Sequence, residues 1–213
     1  FSDHTAPLGL GEPSRAFTGF GVVFQDFDRD GTLDVFVANG SVTRNPTPFR
    51  ADDPYAEPDQ LFRGVVHGAG ELRFEEQLAP DGTRRPPLEN SRGLAAGDLD
   101  EDGDVDLVVL DNGAGARVLE NVAASGPWIG LDVRERGGAP AEGARVSIEA
   151  GGVVRQRLVT TNGSYASSSD ARLLSGLGTG TDDIRVRVRW VDGTEQTFEP
   201  LARDRKHVLR RAN

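Results

Sequence analysis

The stretch Asp26-Phe27-Asp28-Arg29-Asp30-Gly31-Thr32-Leu33-Asp34 recurs as Asp98-Leu99-Asp100-Glu101-Asp102-Gly103-Asp104-Val105-Asp106. In both copies alternate residues carry side-chain oxygens and glycine stands sixth. Carboxylates packed this closely repel by roughly 3–4 kcal/mol per pair at an effective dielectric near ~20. Nothing in the flanking sequence supplies cations to offset this. A hard divalent cation does, and calcium accepts about six to eight oxygens in irregular geometry more readily than magnesium. Glycine permits the positive φ that folds such a loop around an ion. The sequence therefore predicts two calcium ions. The first would be held by the carboxylates of Asp26, Asp28, Asp30 and Asp34 with the Thr32 carbonyl. The second would use Asp98, Asp100, Asp102 and Asp106 with the Asp104 carbonyl.

These loops are not EF-hands. The twelfth position, where an EF-hand needs a bidentate Glu, is Val37 in one copy and Val109 in the other. The runs that follow, from Leu33 and from Val105, are strand-like, and residues 22–25 and 94–97 lead in. Each site thus reads as strand, ion loop, strand. A pair of solvated acidic turns is the plainer alternative, since Asp-Gly is a common hairpin signal, but a turn does not need Asp at four matched spacings twice.

The repeat extends outward. Phe1-Ser2-Asp3 aligns with Phe74-Glu75-Glu76, Gly19 to Val23 with Arg92 to Ala96, and Val37 to Gly40 with Leu110 to Gly113. A period of about 70 residues with several strands each points to propeller blades. Two such units do not close a propeller, so partners are expected at the strand edges, either remaining blades or neighbouring copies. With 27 Gly and 12 Pro, long helices are not expected. No run is long and apolar enough for a membrane span. Cys is absent, which removes disulfides and thiol chemistry. Met is absent as well, so a processed piece of a longer chain is expected, with any export signal upstream. The net charge is −10, and 23 of the acids against 10 bases lie before Gly126. Such an acidic half argues against nucleic acid as its partner.

A boundary is expected between Asn121 and Pro127, giving segments 1–121 and 128–213. After it come short alternating strands beginning at Trp128, Ala144 and Val153. Ile184-Arg185-Val186-Arg187-Val188-Arg189-Trp190 follows, then a turn at Val191-Asp192-Gly193-Thr194 and a strand from Glu195. The fold expected is all-β: two propeller-blade-like calcium-binding repeats, then a small antiparallel β-sandwich or barrel.

Residues 19–40 and 91–113 resemble FG-GAP or VCBS repeats, the calcium-binding blades of integrin-α-like propellers. Gly143-Ala144-Arg145-Val146, Gly163-Ser164-Tyr165, Ser168-Ser169-Asp170, Gly176-Leu177-Gly178 and Trp190-Val191-Asp192-Gly193 resemble the ASPIC/UnbV domain of cartilage-acidic-protein-like proteins. Asp59 to Arg63 and Val118 to Asn121 resemble that family's linkers. The sequence departs from the family at Gly137 to Glu142, at Leu174-Ser175 and at Trp190-Val191. The resemblance implies an extracellular or cell-surface, calcium-stabilised binding or scaffold module of adhesion or matrix type, with further blades upstream. The alternative it implies is part of a UnbV-like biosynthetic enzyme.

Catalytic signals are weak. His4, His67 and His207 are scattered, and no Gly-x-Ser-x-Gly elbow is present. Gly176-Leu177-Gly178-Thr179-Gly180 lacks the GK[ST] of a phosphate loop and reads as a turn. Ser41 to Gln60, with four prolines, reads as a covering loop. Asn39-Gly40-Ser41 and Asn162-Gly163-Ser164 fit a glycosylation sequon but read as turns. Arg185, Arg187 and Arg189 share one strand face. With Arg155 and Arg157 they form a five-guanidinium patch if the two strands are neighbours, suited to an acidic polysaccharide.

Overall fold

The computed structural model describes residues 1–68, 70–78, 88–122, 125–178 and 183–212. Among these, helix is confined to α1 (Gly11–Ser14), and the rest of the regular structure is strand. The repeat half contains β1 (Gly19–Gln25), β2 (Asp34–Asn39), β3 (Glu57–Pro58), β4 (Gln60–His67), β5 (Glu71–Glu76), β6 (Leu88–Glu89), β7 (Ser91–Gly97), β8 (Asp106–Asp111) and β9 (Ala116–Leu119). The remainder contains β10 (Trp128–Arg134), β11 (Arg145–Ala150), β12 (Val153–Leu158), β13 (Leu173–Gly176), β14 (Ile184–Arg189), β15 (Glu195–Leu201) and β16 (Arg205–Arg210).

The two copies fold alike. Strands β1-β2-β4-β5 form one antiparallel sheet and β7-β8-β9 another, with β3 paired to β6. Gln25 pairs with Asp34 and Gly97 with Asp106, so each acid loop is the tip of a hairpin. Both hairpins carry a register irregularity at the same place, between Gly19 and Gly21 and between Ser91 and Gly93. Val35 pairs with Phe62 as Leu107 pairs with Leu119. Of the segments expected as linkers, Gln60 to Arg63 and Val118-Leu119 thus lie in the third strand of each unit, with Asp59, Glu120 and Asn121 just outside it. The alignment of Phe1 with Phe74 fails: Phe1 is fully exposed before any strand, while Phe74 is buried in β5. Val23, Phe36, Ala38, Leu94, Ala96, Leu107 and Val109 fill a core common to both units. There the sheets approach closely enough that a Cβ on Gly21 would stand 2.4 Å from that of Leu94.

The C-terminal part is an open two-sheet sandwich, not a closed barrel. One sheet runs β13-β10-β16 and the other β12-β11-β14-β15. The expectation of antiparallel pairing holds except for β16, which runs parallel to β10, with Gly130 opposite Lys206. Ile129, Leu131 and Val133 face Val146, Ile148, Ile184, Val186, Val188 and Trp190 in its core. Burying each of these large apolar side chains contributes roughly 1.5–3 kcal/mol. The turn at Gly193 forms, with Trp190 N–H donating to the Thr194 carbonyl at 2.9 Å.

Three expectations are overturned here. The five-guanidinium patch does not exist, because β11 separates β12 from β14. Arg155 and Arg157 stand opposite Ile148 and Val146, on the inner side, whereas Arg185 and Arg187 stand opposite Glu149 and Ser147 on the outer side. Arg185 is there ion-paired with Glu199 and Glu149. Asn39 is not in a turn: it is buried at the end of β2 and donates to the Pro58 carbonyl and Gln60 Oε1. Gly176 belongs to a strand, while Thr179 and Gly180 of the expected turn lie outside the described residues. So do Ala123 and Ala124 of the expected boundary.

Leu173 packs against the sandwich core and Leu174 against the core of the repeat half. Alternation along β13 therefore joins the two cores through adjacent residues. The edge of β7 is covered too: Leu94 and Ala96 N–H groups donate to Ser167 and Ser169 hydroxyls, and Asp170 N–H to the Ala96 carbonyl. No helix among the described residues is long and apolar enough to cross a membrane.

Candidate metal centres

The two acid loops have the same internal hydrogen bonds. Asp26 Oδ2 accepts from Gly31 N–H and Asp98 Oδ2 from Gly103 N–H, both at 3.1 Å. Asp28 caps Asp30 and Asp100 caps Asp102; Asp30 caps Thr32 and Asp102 caps Asp104. The ninth-position carboxylates tie each loop to its third strand. Asp34 accepts from Phe27 and Gly64, Asp106 from Leu99 and Asn121, at 2.8–2.9 Å. Gly31 and Gly103 have φ of +94° and +90°, as the sequence requires. Glycine is also required for space, since a Cβ would stand 2.5 Å from the Arg155 guanidinium in one loop and 2.1 Å from the Trp128 ring in the other.

Oxygens of Asp26, Asp28 and Asp34 lie within 4.8 Å of one another, as do those of Asp98, Asp100 and Asp102. The structure does not place Asp30 in the first cluster or Asp106 in the second. Asp30 Oδ2 instead accepts from Arg63 at 3.2 Å. The Asp104 side chain is buried, 3.6 Å from Arg29. In each group one buried carboxylate oxygen, Asp26 Oδ1 or Asp98 Oδ1, accepts no hydrogen bond among the described residues, and neither does Asp104 Oδ1. A buried carboxylate oxygen left unpartnered is costly. A bound cation satisfies it, so the residues present fit a hard divalent ion. Burial pushes the Asp26 carboxyl up to about 6 despite the Gly176 N–H and Arg157. Burial does the same to Asp34, to about 6, and to Asp104, to about 7, where Asp102 adds repulsion.

Cations absent from the flanking sequence arrive by the fold, correcting the expectation that none is at hand. Arg63 Nε reaches Asp28 at 2.7 Å from β4. Arg29 of the first loop reaches Asp102 and Asp104 of the second. Lys206 Nζ, from β16, lies 2.8 Å from Asp98 Oδ2 and 2.9 Å from Glu101 Oε2. Arg172 joins Glu101 at 2.8 Å and Asp170 at 2.6 Å. Gly176 N–H donates to Asp26 Oδ2 at 2.8 Å. Both loops therefore lie against the C-terminal sandwich. Sequence reasoning missed Arg63, Arg172, Gly176 and Lys206. The one available signal was that Lys206 is the chain's sole lysine.

Residues 134–213 match the family model described as ASPIC and UnbV. The match covers most of the sandwich and stops short of both acid loops. No curated protein matches the chain.

Proposed function

We propose that the chain is a calcium-stabilised binding or scaffold module, of the extracellular adhesion or matrix type, whose two FG-GAP/VCBS-like acid loops act as ion clamps. The observation that carries this reading is the pair of buried, unpartnered oxygens, Asp26 Oδ1 and Asp98 Oδ1, each inside a three-carboxylate cluster. The position of the clusters supports a structural role. Each ion would neutralise a hairpin tip on which the C-terminal sandwich rests, through Gly176 in one case and Lys206 with Trp128 in the other. The loops are tips of blade-like units, in keeping with the end of a propeller, and 1–121 and 128–213 are the two parts that the ions hold together.

Binding only the folded state stabilises it by about 2.7 kcal/mol per site at a hundredfold excess over Kd. At this size each kcal/mol moves the melting midpoint by roughly 2–4 °C. Melting in calcium against melting in chelator is the test. A rise of several degrees is expected, and an unchanged midpoint overturns the reading.

A further inference from the structure

The sheet of each blade-like unit has two faces. On the first unit, Phe36, Ala38 and Leu61, with Phe27 of the acid loop, turn one face into the shared core, against Leu94, Ala96, Leu107 and Val109 of the second unit. The other face of the first unit, through Val35 and Phe62, is covered by Leu8 and Leu10 of the N-terminal segment. Phe74 N–H fastens that segment by donating to the Leu8 carbonyl at 2.8 Å. Phe24 stays half exposed at the margin, its ring edge-on to that of Phe74. The remaining face, on the second unit, is open among the described residues. The repeat puts Leu99 at the place of Phe27 and Leu110 at that of Ala38. Val118 stands opposite Val108 as Leu61 stands opposite Phe36. Ala38 is 0% exposed, whereas Leu99, Leu110 and Val118 are 53%, 52% and 64% exposed. Large aliphatic side chains exposed together on one face, at positions that build a core in the sister unit, mark an interaction surface. We infer that a second copy of the chain docks there with its own equivalent face, forming a two-fold dimer.

Two observations select a second copy, bound like to like. The face of the first unit that corresponds to the shared core's other wall is occupied by Leu8 and Leu10, so it is closed to the open face of another copy. With one end of the stack covered, the open face meets its own equivalent, and such a self-complementary contact closes at two copies instead of growing into a fibre. The open face also differs from its counterpart in bulk. The two units approach closely through the small residues Ala38 and Gly21, a Cβ on the latter standing 2.4 Å from that of Leu94. Leu110 in place of Ala38 holds an incoming sheet further off, towards the ~10 Å spacing at which two apolar sheet faces interdigitate. The inference goes beyond the proposed function and does not depend on what the acid loops bind.

Sedimentation equilibrium of the full chain over a range of concentrations tests this. The mass should rise from one copy towards two and no further. Leu110→Asp combined with Val118→Asp should weaken the dimer by about a hundredfold or more, since two apolar anchors are lost and like charges meet across the contact. Leu110→Ser combined with Val118→Ser should weaken it by about tenfold or more without added charge. The Ser pair covers a failure of the Asp pair to fold, which circular dichroism reports. Val154→Asp, on the sandwich strand β12 and 55% exposed in the wild type, should leave the dimer unchanged. Methyl resonances of Leu99, Leu110 and Val118 should shift with concentration while those of Val154 stay fixed. A monomer at every concentration, a mass that climbs past two copies, or a dimer that the Leu110 and Val118 variants leave intact overturns the inference. Each of these outcomes leaves the calcium reading standing, because that reading is decided by melting with and without chelator.

Discussion

At the scale of single residues, Asp26 and Asp34 carry a charge in a place that opposes it. Burial holds both carboxyls near about 6, against an ordinary value of about 4. A folded-state value above the unfolded one gives a stability contribution that is present at low pH and lost as pH rises through the folded value. In chelator the protein should therefore lose stability between about pH 4 and pH 7, with Asp104 extending the decline to about pH 7. Calcium should reverse the trend, because it binds the ionised form. Denaturant unfolding at pH 5 and pH 7.5, with and without calcium, checks this, and a chelated protein more stable at the higher pH contradicts it. Asp26→Asn keeps an acceptor for Gly176 while removing the charge. In chelator at pH 7.5 it should stay within about 1 kcal/mol of the wild type, yet lose at least half of the calcium-induced stabilisation.

At the scale of elements, β13 tolerates little change. A Cβ on Gly176 would stand 2.3 Å from the Arg29 carbonyl oxygen and 2.5 Å from the Arg29 Cα, all backbone. Gly176→Ala should cost about 1–3 kcal/mol by overpacking and weaken calcium at the first loop by displacing the N–H on Asp26. A urea midpoint equal to the wild type would show that the contact is softer than its distances imply. This strand was illegible in the sequence because Leu173-Leu174-Ser175-Gly176 offers no alternation, its glycine reading as a turn. The pattern of β16 is hidden in the same way: Arg205-Lys206-His207 precede its one buried apolar residue, Leu209, and its partner β10 lies far back in the chain. By contrast β14 was plain, since Ile184, Val186 and Val188 are buried and the arginines between them exposed.

For the whole molecule, Leu173 in one core and Leu174 in the other imply that the two parts unfold together. Scanning calorimetry should give one transition. Leu174→Asp, which places a charge in the repeat core, should lower it and split it in two. Two separate transitions in the wild type would show that the cores are independent.

The sequence by itself determined the all-β class, the paired hairpins with acid loops at their tips, the positive φ of Gly31 and Gly103, and the inward face of β14. Each is a local property, set by side-chain period, by the backbone freedom of glycine, or by oxygens a few residues apart. The tertiary structure alone decided what surrounds those loops. Lys206 and Asp98 are far apart along the chain and 2.8 Å apart in space. Strand order likewise turned five arginines of similar spacing into two sets on opposite faces. Local period fixes which way a side chain points from its own strand, and only the packing of strands fixes what it meets.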